Sequence, residues 1–149
     1  MRLCVAVVLF LFSMHCSAKS LTNKEYSLLA LTIFHEARGE SSLAQQAVLE
    51  VVLNRTSSTK SVKDVILAPY QFSFTMVTGW FAIPAEELYT YVQLVKRYEK
   101  NIRNGKRVLP KGTKYYHAHY VNPSWAGKMV KVASIGGHKF YKQTVSKTN

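Results

Sequence analysis

Cysteine is nearly absent from this 149-residue chain, and the two present, Cys4 and Cys16, both fall within the first eighteen residues. Residues 19–149 therefore hold no disulfide, thiol nucleophile or Cys-ligated metal, and a domain built from them must rely on its core. Acid is scarce as well, with eight Asp and Glu against twenty Lys and Arg. Few carboxylates are available for chemistry. The N-terminal apolar run Leu3–Met14 has twelve residues, short of the roughly 20 that a membrane-spanning helix needs. A phosphate-cradling Gly loop and a Gly-x-Ser-x-Gly elbow are both missing, which removes NTPases and serine esterases. There is no internal repeat, low-complexity tract or linker.

What is present begins with a charged start, Met1-Arg2, then the apolar run, then the small residues Cys16-Ser17-Ala18. We read residues 1–18 as a cleaved secretory signal, with a released anchor as the alternative, and residues 19–149 as a single secreted or periplasmic domain, expected to be a monomer. The whole chain's 48% hydrophobic and 19% charged residues suffice for a core. Charge is unevenly placed. Residues 19–95 hold six basic and seven acidic side chains, whereas residues 96–149 hold thirteen basic ones against Glu99 alone. Such a basic C-terminal third suits an acidic polymer. Export argues against nucleic acid, so an anionic cell-envelope polymer is the expected partner.

Thr22-Asn23-Lys24-Glu25 reads as a capping box opening a helix with Tyr26, Leu29, Ala30, Ile33, Phe34 and Ala37 on one face, stopped by Gly39. Ser42-Leu43-Ala44-Gln45 reads as a second capping box, heading a helix that carries Ala47, Val48, Val51 and Val52 towards Asn54-Arg55. Ser61 caps a short helix through Leu67, and Pro69 ends it. Residues 70–83 are aperiodic and rich in aromatics, as in a covering loop. Pro84 in a first turn, with Glu86 and Glu87 after it, opens a long helix that Gly105 ends. Tyr115–Val121 then alternates, Tyr116, Ala118 and Tyr120 against Tyr115, His117 and His119, and a second strand, His138–Tyr141, follows Gly136-Gly137. The expectation is one α+β domain, N-terminal helices followed by a small C-terminal antiparallel sheet.

Glu36 is the informative residue. It shares the stripe of Leu29 and Ile33 one turn from the helix end, where desolvation and the negative helix terminus should both raise a carboxyl pKa, as a general acid requires. The alternative is a rim position paired with Arg38, Arg55 or Lys24. His35-Glu36 begins like the His-Glu-x-x-His zinc helix, but Gly39 stands where the second His would be. His117, His119 and His138 could assemble the zinc site of an N-acetylmuramoyl-L-alanine amidase. The plainer reading, which we prefer, has them hydrogen-bonding beside a cleft, with no metal or cofactor. Glu40 lies beyond the Gly39 interruption and reads as an acidic group near a helix start. Of Tyr115, Tyr116, Tyr120, Trp125 and Tyr141, two are expected to touch a ligand and the rest to pack. Asn54-Arg55 reads as a brace.

Five blocks together carry a resemblance: Phe34-His35-Glu36-Ala37-Arg38-Gly39-Glu40, Val51-Val52-Leu53-Asn54-Arg55, Gln71-Phe72-Ser73, Tyr116-His117-Ala118 with Pro123-Ser124-Trp125-Ala126, and Ile135-Gly136-Gly137-His138-Lys139-Phe140-Tyr141. In this order they resemble the SleB/CwlJ cell wall hydrolase family, over about residues 24–142. The resemblance implies a lysozyme and lytic transglycosylase-like fold and peptidoglycan as substrate. It further implies one essential glutamate, at Glu36, cleaving the MurNAc–GlcNAc bond, with lytic transglycosylation favoured because one glutamate suffices for it. Glu40, Gln71, Phe72, Ser73, Tyr116, His117, Trp125, His138 and Tyr141 are the expected substrate-binding residues. Phe74 departs from the family pattern, standing where a Trp is expected, and no wall-binding repeat domain is seen. A spore enzyme and a Gram-negative or phage (endolysin-like) lysis protein both remain open. A basic module binding envelope or nucleic acid without catalysis is the non-enzymatic alternative.

Overall fold

The computed structural model describes residues 20–144; the secretory signal read at residues 1–18 lies outside the described residues. Helix α1, Asn23–Ala37, starts as its sequence demands. Thr22 Oγ1 accepts from the Glu25 amide at 3.2 Å while the Glu25 carboxylate accepts from the Thr22 amide at 2.9 Å. Gly39, with φ at +85°, turns the chain out of the helix. The N-cap of helix α2, Ser42–Asn54, is Ser41 and not Ser42 as the sequence suggested. Ser41 is the extended residue after the turn, and its hydroxyl accepts from Ala44 N at 3.3 Å. Gln45, read as the reciprocal cap, instead donates to Ala37 O at 3.3 Å and accepts from the Tyr98 hydroxyl at 2.7 Å. It ties the end of α1 to the long helix.

Helix α3, Val62–Ile66, has a Ser61–Asp64 capping box, and helix α4, Ala85–Arg103, begins after Pro84, which is its N-cap rather than a first-turn residue. The sheet has three antiparallel strands, β1 Thr113–Ala118, β2 Val130–Ile135 and β3 His138–Lys142, in the order β1-β3-β2. Strand β2 was not foreseen. Only Val132, Ala133 and Ile135 on it are even partly buried, so its apolar alternation is faint. Register places Tyr116 opposite Phe140 and Ala118 opposite His138.

The core forms where the helix stripes converge on β3. Leu29, Ala30 and Ile33 of α1, Val48, Val51 and Val52 of α2, Val65 and Ile66 of α3, Val95 of α4 and Phe140 of β3 are all fully buried or within 1% of it. One acid is buried among them: Glu50, with 0% exposure. Its Oε1 accepts from Gln46 Nε2 (3.0 Å) and Val108 N (2.9 Å), its Oε2 accepts from Leu109 N (3.0 Å), and Arg107 Nη2 stands 3.5 Å from it. Arg107 also donates to Asn54, which donates to Thr113 O. This network fastens the α4–β1 connection to α2 and so fixes where β1 enters the sheet.

Candidate active site

A cleft of about 420 Å³ opens where four segments meet: the last turn of α1, the end of α2, the 71–73 segment, and the adjoining ends of β1 and β3. Glu36 and His35 come from α1, Arg55 from α2, Gln71, Phe72 and Ser73 from the loop, and Tyr116, His117, Ala118, Tyr120 and His138 from the sheet side. Glu36 is half-buried. It occupies the stripe position expected of it, but so close to the helix end that it faces the cleft instead of the core.

Two groups from distant parts of the chain address Glu36. The Tyr116 hydroxyl donates to Glu36 Oε2 at 2.7 Å. Burial, and next the Glu36 charge and this hydrogen bond, push the Tyr116 phenol well above its ordinary pKa, so it remains a donor. Arg55 interacts electrostatically with Glu36, Tyr116 and Tyr115, which opposes the lowering of its own pKa by burial. Its Nε donates to Lys114 O at 2.6 Å and its guanidinium lies over the Phe72 ring at 5.5 Å, while Nη1 is buried without a hydrogen-bond partner. Arg55 is thus a brace, as read from sequence, and also a wall of the cleft. The rim ion pair with Arg38 does not form: that guanidinium sits over Phe34 at 4.7 Å.

The 70–83 loop packs on one side of His35, which stays exposed. The imidazole stacks on Phe74 at 4.7 Å and 10°, and its Nε2 donates to Trp80 O at 2.7 Å. Phe74, where the family pattern led us to expect Trp, supplies that stacking surface. The loop's other face is open, with Tyr70, Met76, Val77 and Phe81 exposed.

The remaining expected site residues divide. Gln71, Phe72, Ser73, Tyr116, His117 and His138 reach the cleft. Trp125 and Tyr141 do not line it: Tyr141 stacks on His117 at 5.2 Å and Trp125 packs edge-on against both. They hold the His117 ring, whose Nδ1 donates to Ala118 O (2.8 Å) and whose Nε2 accepts from the Tyr141 hydroxyl (2.9 Å). Glu40 is also outside the cleft lining. Both its oxygens accept from Gly137 N at 3.2 Å, joining the α1–α2 corner to the β2–β3 turn. The turn is tight here: at a φ of +56°, a Cβ at Gly136 would meet Ala44 Cβ at 2.9 Å and displace the Glu40 carboxylate.

With both His117 nitrogens engaged and His119 Nδ1 directed at Gly137 O (3.3 Å), the three histidines do not converge as zinc ligands. His138 lies against Tyr116 edge-on at 5.3 Å, and its buried Nδ1 has no partner. Burial lowers its pKa, Glu40 and then Glu36 oppose this, and His119 and His117 reinforce it.

Arg55, His35, Ala118 and Tyr120 line the cleft although none was singled out as substrate-binding from the sequence. His35, Arg55 and Ala118 nevertheless stand inside the family blocks, which is the signal that could have found them. The alternation did place Tyr116, Ala118 and Tyr120 on one face, and Tyr120 was among the aromatics considered.

The family described as Cell Wall Hydrolase matches residues 39–141. A spore cortex-lytic enzyme of Halalkalibacterium halodurans is 27% identical over 123 residues, which cover 80% of this chain and 35% of that protein. The chain thus spans about a third of the length of this curated relative. Two catalytic domains of solved structure superpose well. That of the Bacillus cereus SleB protein has a TM-score of 0.64, and that of the germination-specific lytic transglycosylase SleB from Bacillus anthracis has 0.66. Both are 26% identical and cover 84% of this chain, with 94% and 99% of their own lengths matched.

Proposed function

The chain belongs to the cell wall hydrolase family of SleB/CwlJ type, with the α+β fold of the SleB catalytic domains, and on that premise we propose that it cleaves the MurNAc–GlcNAc bond of peptidoglycan with Glu36 as general acid and base. The observation that carries this reading is the setting of Glu36: a half-buried carboxyl on a cleft wall, oriented by Tyr116 at 2.7 Å. Among the described residues it is the one carboxylate lining that cleft. Hydrolysis through a second carboxylate would need a partner about 5 to 9.5 Å away across the sugar. Glu40, four residues on from Glu36, is outside the cleft lining and accepts from Gly137 N.

A single acid suits lytic transglycosylation. Glu36 protonates the glycosidic oxygen of the departing glucosamine as the C1–O bond breaks. The resulting carboxylate then takes the proton of the muramic C6 hydroxyl as O6 bonds to C1, which closes a 1,6-anhydro ring and restores the acid. The apolar run Leu3–Met14, which we read as part of a secretory signal, and the basic C-terminal third support action outside the cytoplasm, the latter as an electrostatic tether to anionic envelope polymer. Glu36→Gln should lower clearing of purified walls in a zymogram by at least about 100-fold, and wild-type products should carry 1,6-anhydromuramoyl ends by mass spectrometry. Full clearing by the variant would remove Glu36 from the chemistry. Reducing muramic acid ends would make the enzyme a lysozyme-type hydrolase.

A further inference from the structure

Beside the cleft lies a second cavity, of about 180 Å³, lined by Arg55, Lys60, Gln71, Lys114 and Tyr115. Arg55 and Gln71 belong to both cavities, so the two form one continuous surface with Glu36 at one end and three cations at the other. Neither ion pair found within 4.0 Å among the described residues involves those cations. No acidic side chain lines the cavity. The central cation is fixed in place, because Arg55 is held at Nε by Lys114 O and at its face by Phe72. A guanidinium immobilised in this way loses little further freedom on meeting an anion.

We propose that this side cavity is a carboxylate-binding subsite that takes the acidic peptide branching from the muramic acid ring held in the cleft. The proposal rests on the peptidoglycan reading and adds a specificity to it: glycan with charged stem peptides is preferred over glycan whose stems are neutral. Continuity with the cleft selects the ligand, since an occupant of the side cavity must be attached to the strand being cut. What branches there is the lactyl ether with its peptide, whose free acids are carboxylates. A phosphate polymer attached at the muramic C6 oxygen would block the hydroxyl that attacks C1, so such a strand could not be cut at that residue.

The test uses binding, which is independent of turnover. Soluble, uncross-linked glycan strands are prepared in three forms: native stems, stems with carboxylates amidated by carbodiimide and methylamine, and stems removed so that only the lactyl carboxylate remains. Their affinities for the Glu36→Gln protein are measured by calorimetry. Native strands should bind about fivefold to tenfold more tightly than amidated ones, the scale of two exposed charge contacts. In the background of Glu36→Gln, the double change Lys60→Gln/Lys114→Gln should bring that ratio to within about twofold, while Lys24→Gln/Lys63→Gln, which removes equal charge elsewhere, should leave it standing. Equal binding of native and amidated strands, an equal effect of both double changes, or no binding at all would overturn the subsite. Stripped strands binding as tightly as native ones would assign the cations to the lactyl group and overturn the peptide. If wild type fails to cut walls while the ratio behaves as expected, the cleavage reading falls and the subsite stands.

Discussion

Replacing Glu50 by Gln tests the argument that a buried carboxylate fixes the position of β1. The change keeps the side-chain shape and removes one acceptor. In the native fold four donors converge on two oxygens: Gln46 Nε2 and Val108 N on Oε1, Leu109 N and Arg107 Nη2 on Oε2. A glutamine offers one oxygen and one NH₂, so in either orientation at least one buried backbone N–H faces another donor. A buried unsatisfied donor costs about 1–3 kcal/mol, and uncovering Arg107, which is left with Asn54 and Leu109 O, brings the total to about 3–5 kcal/mol. That is a large part of the roughly 5–15 kcal/mol that holds a domain of this size. With a urea slope of about 1.5 kcal/mol/M, the unfolding midpoint should fall by about 2–3 M. The assay is equilibrium urea denaturation followed by tryptophan fluorescence and far-UV circular dichroism, whose transitions should coincide. A midpoint shift under about 0.5 M at unchanged slope would show that the 106–109 segment is held by something other than Glu50.

Three further outcomes are expected. Gly136→Ala would place a Cβ 2.9 Å from Ala44 Cβ and against the Glu40 carboxylate at a φ of +56° and should cost about 1–3 kcal/mol in thermal or urea unfolding; a loss under about 0.5 kcal/mol would mean that the turn gives way to a side chain. Because burial lowers the His138 pKa from its ordinary value near 6.5, the unfolded chain binds the proton more readily. The stability owed to neutral His138 is present above about pH 6.5 and is lost as pH falls through the lower folded value. Thermal melts of His138→Gln should therefore lose less stability than wild type between about pH 6.5 and 5, and identical slopes would contradict this. Pelleting with purified walls should weaken steeply between about 0.1 and 1 M salt, where the screening length falls from about 10 to 3 Å; salt-independent pelleting would refute the electrostatic tether.

Why some of this was legible in the sequence and some was not follows from the range of each interaction. The Thr22–Glu25 and Ser61–Asp64 caps, the stop at Gly39 and the stripe of α1 are made by residues at most four apart, so spacing alone reveals them. Position of Glu36 on that stripe was equally visible, and the family blocks gave it a role. Its partner at 2.7 Å, however, is eighty residues away, and no local pattern can pair Tyr116 with it. Glu50 shows the same limit in reverse. Read as one more acid on a helix, it is wholly buried and bonded at both oxygens, because the chain returns after α4 to bring the 106–109 segment against it. Glu40 misled for a related reason. The break at Gly39 was visible and set Glu40 apart from Glu36, but the family blocks placed it among the substrate-binding residues; the positive φ at Gly39 delivers it instead to the Gly136-Gly137 turn, where the absence of side chains makes room for it. The same separation means that the cleft and the cationic cavity beside it are each assembled from distant parts of the chain. Helices α1 and α2 contribute Glu36 and the fixed Arg55, the sheet contributes Tyr116 and Lys114, and the hydrogen bond from Arg55 to Lys114 O locks the two together. A change in the α2–β1 connection would therefore move the acid's donor and the cationic cavity at once.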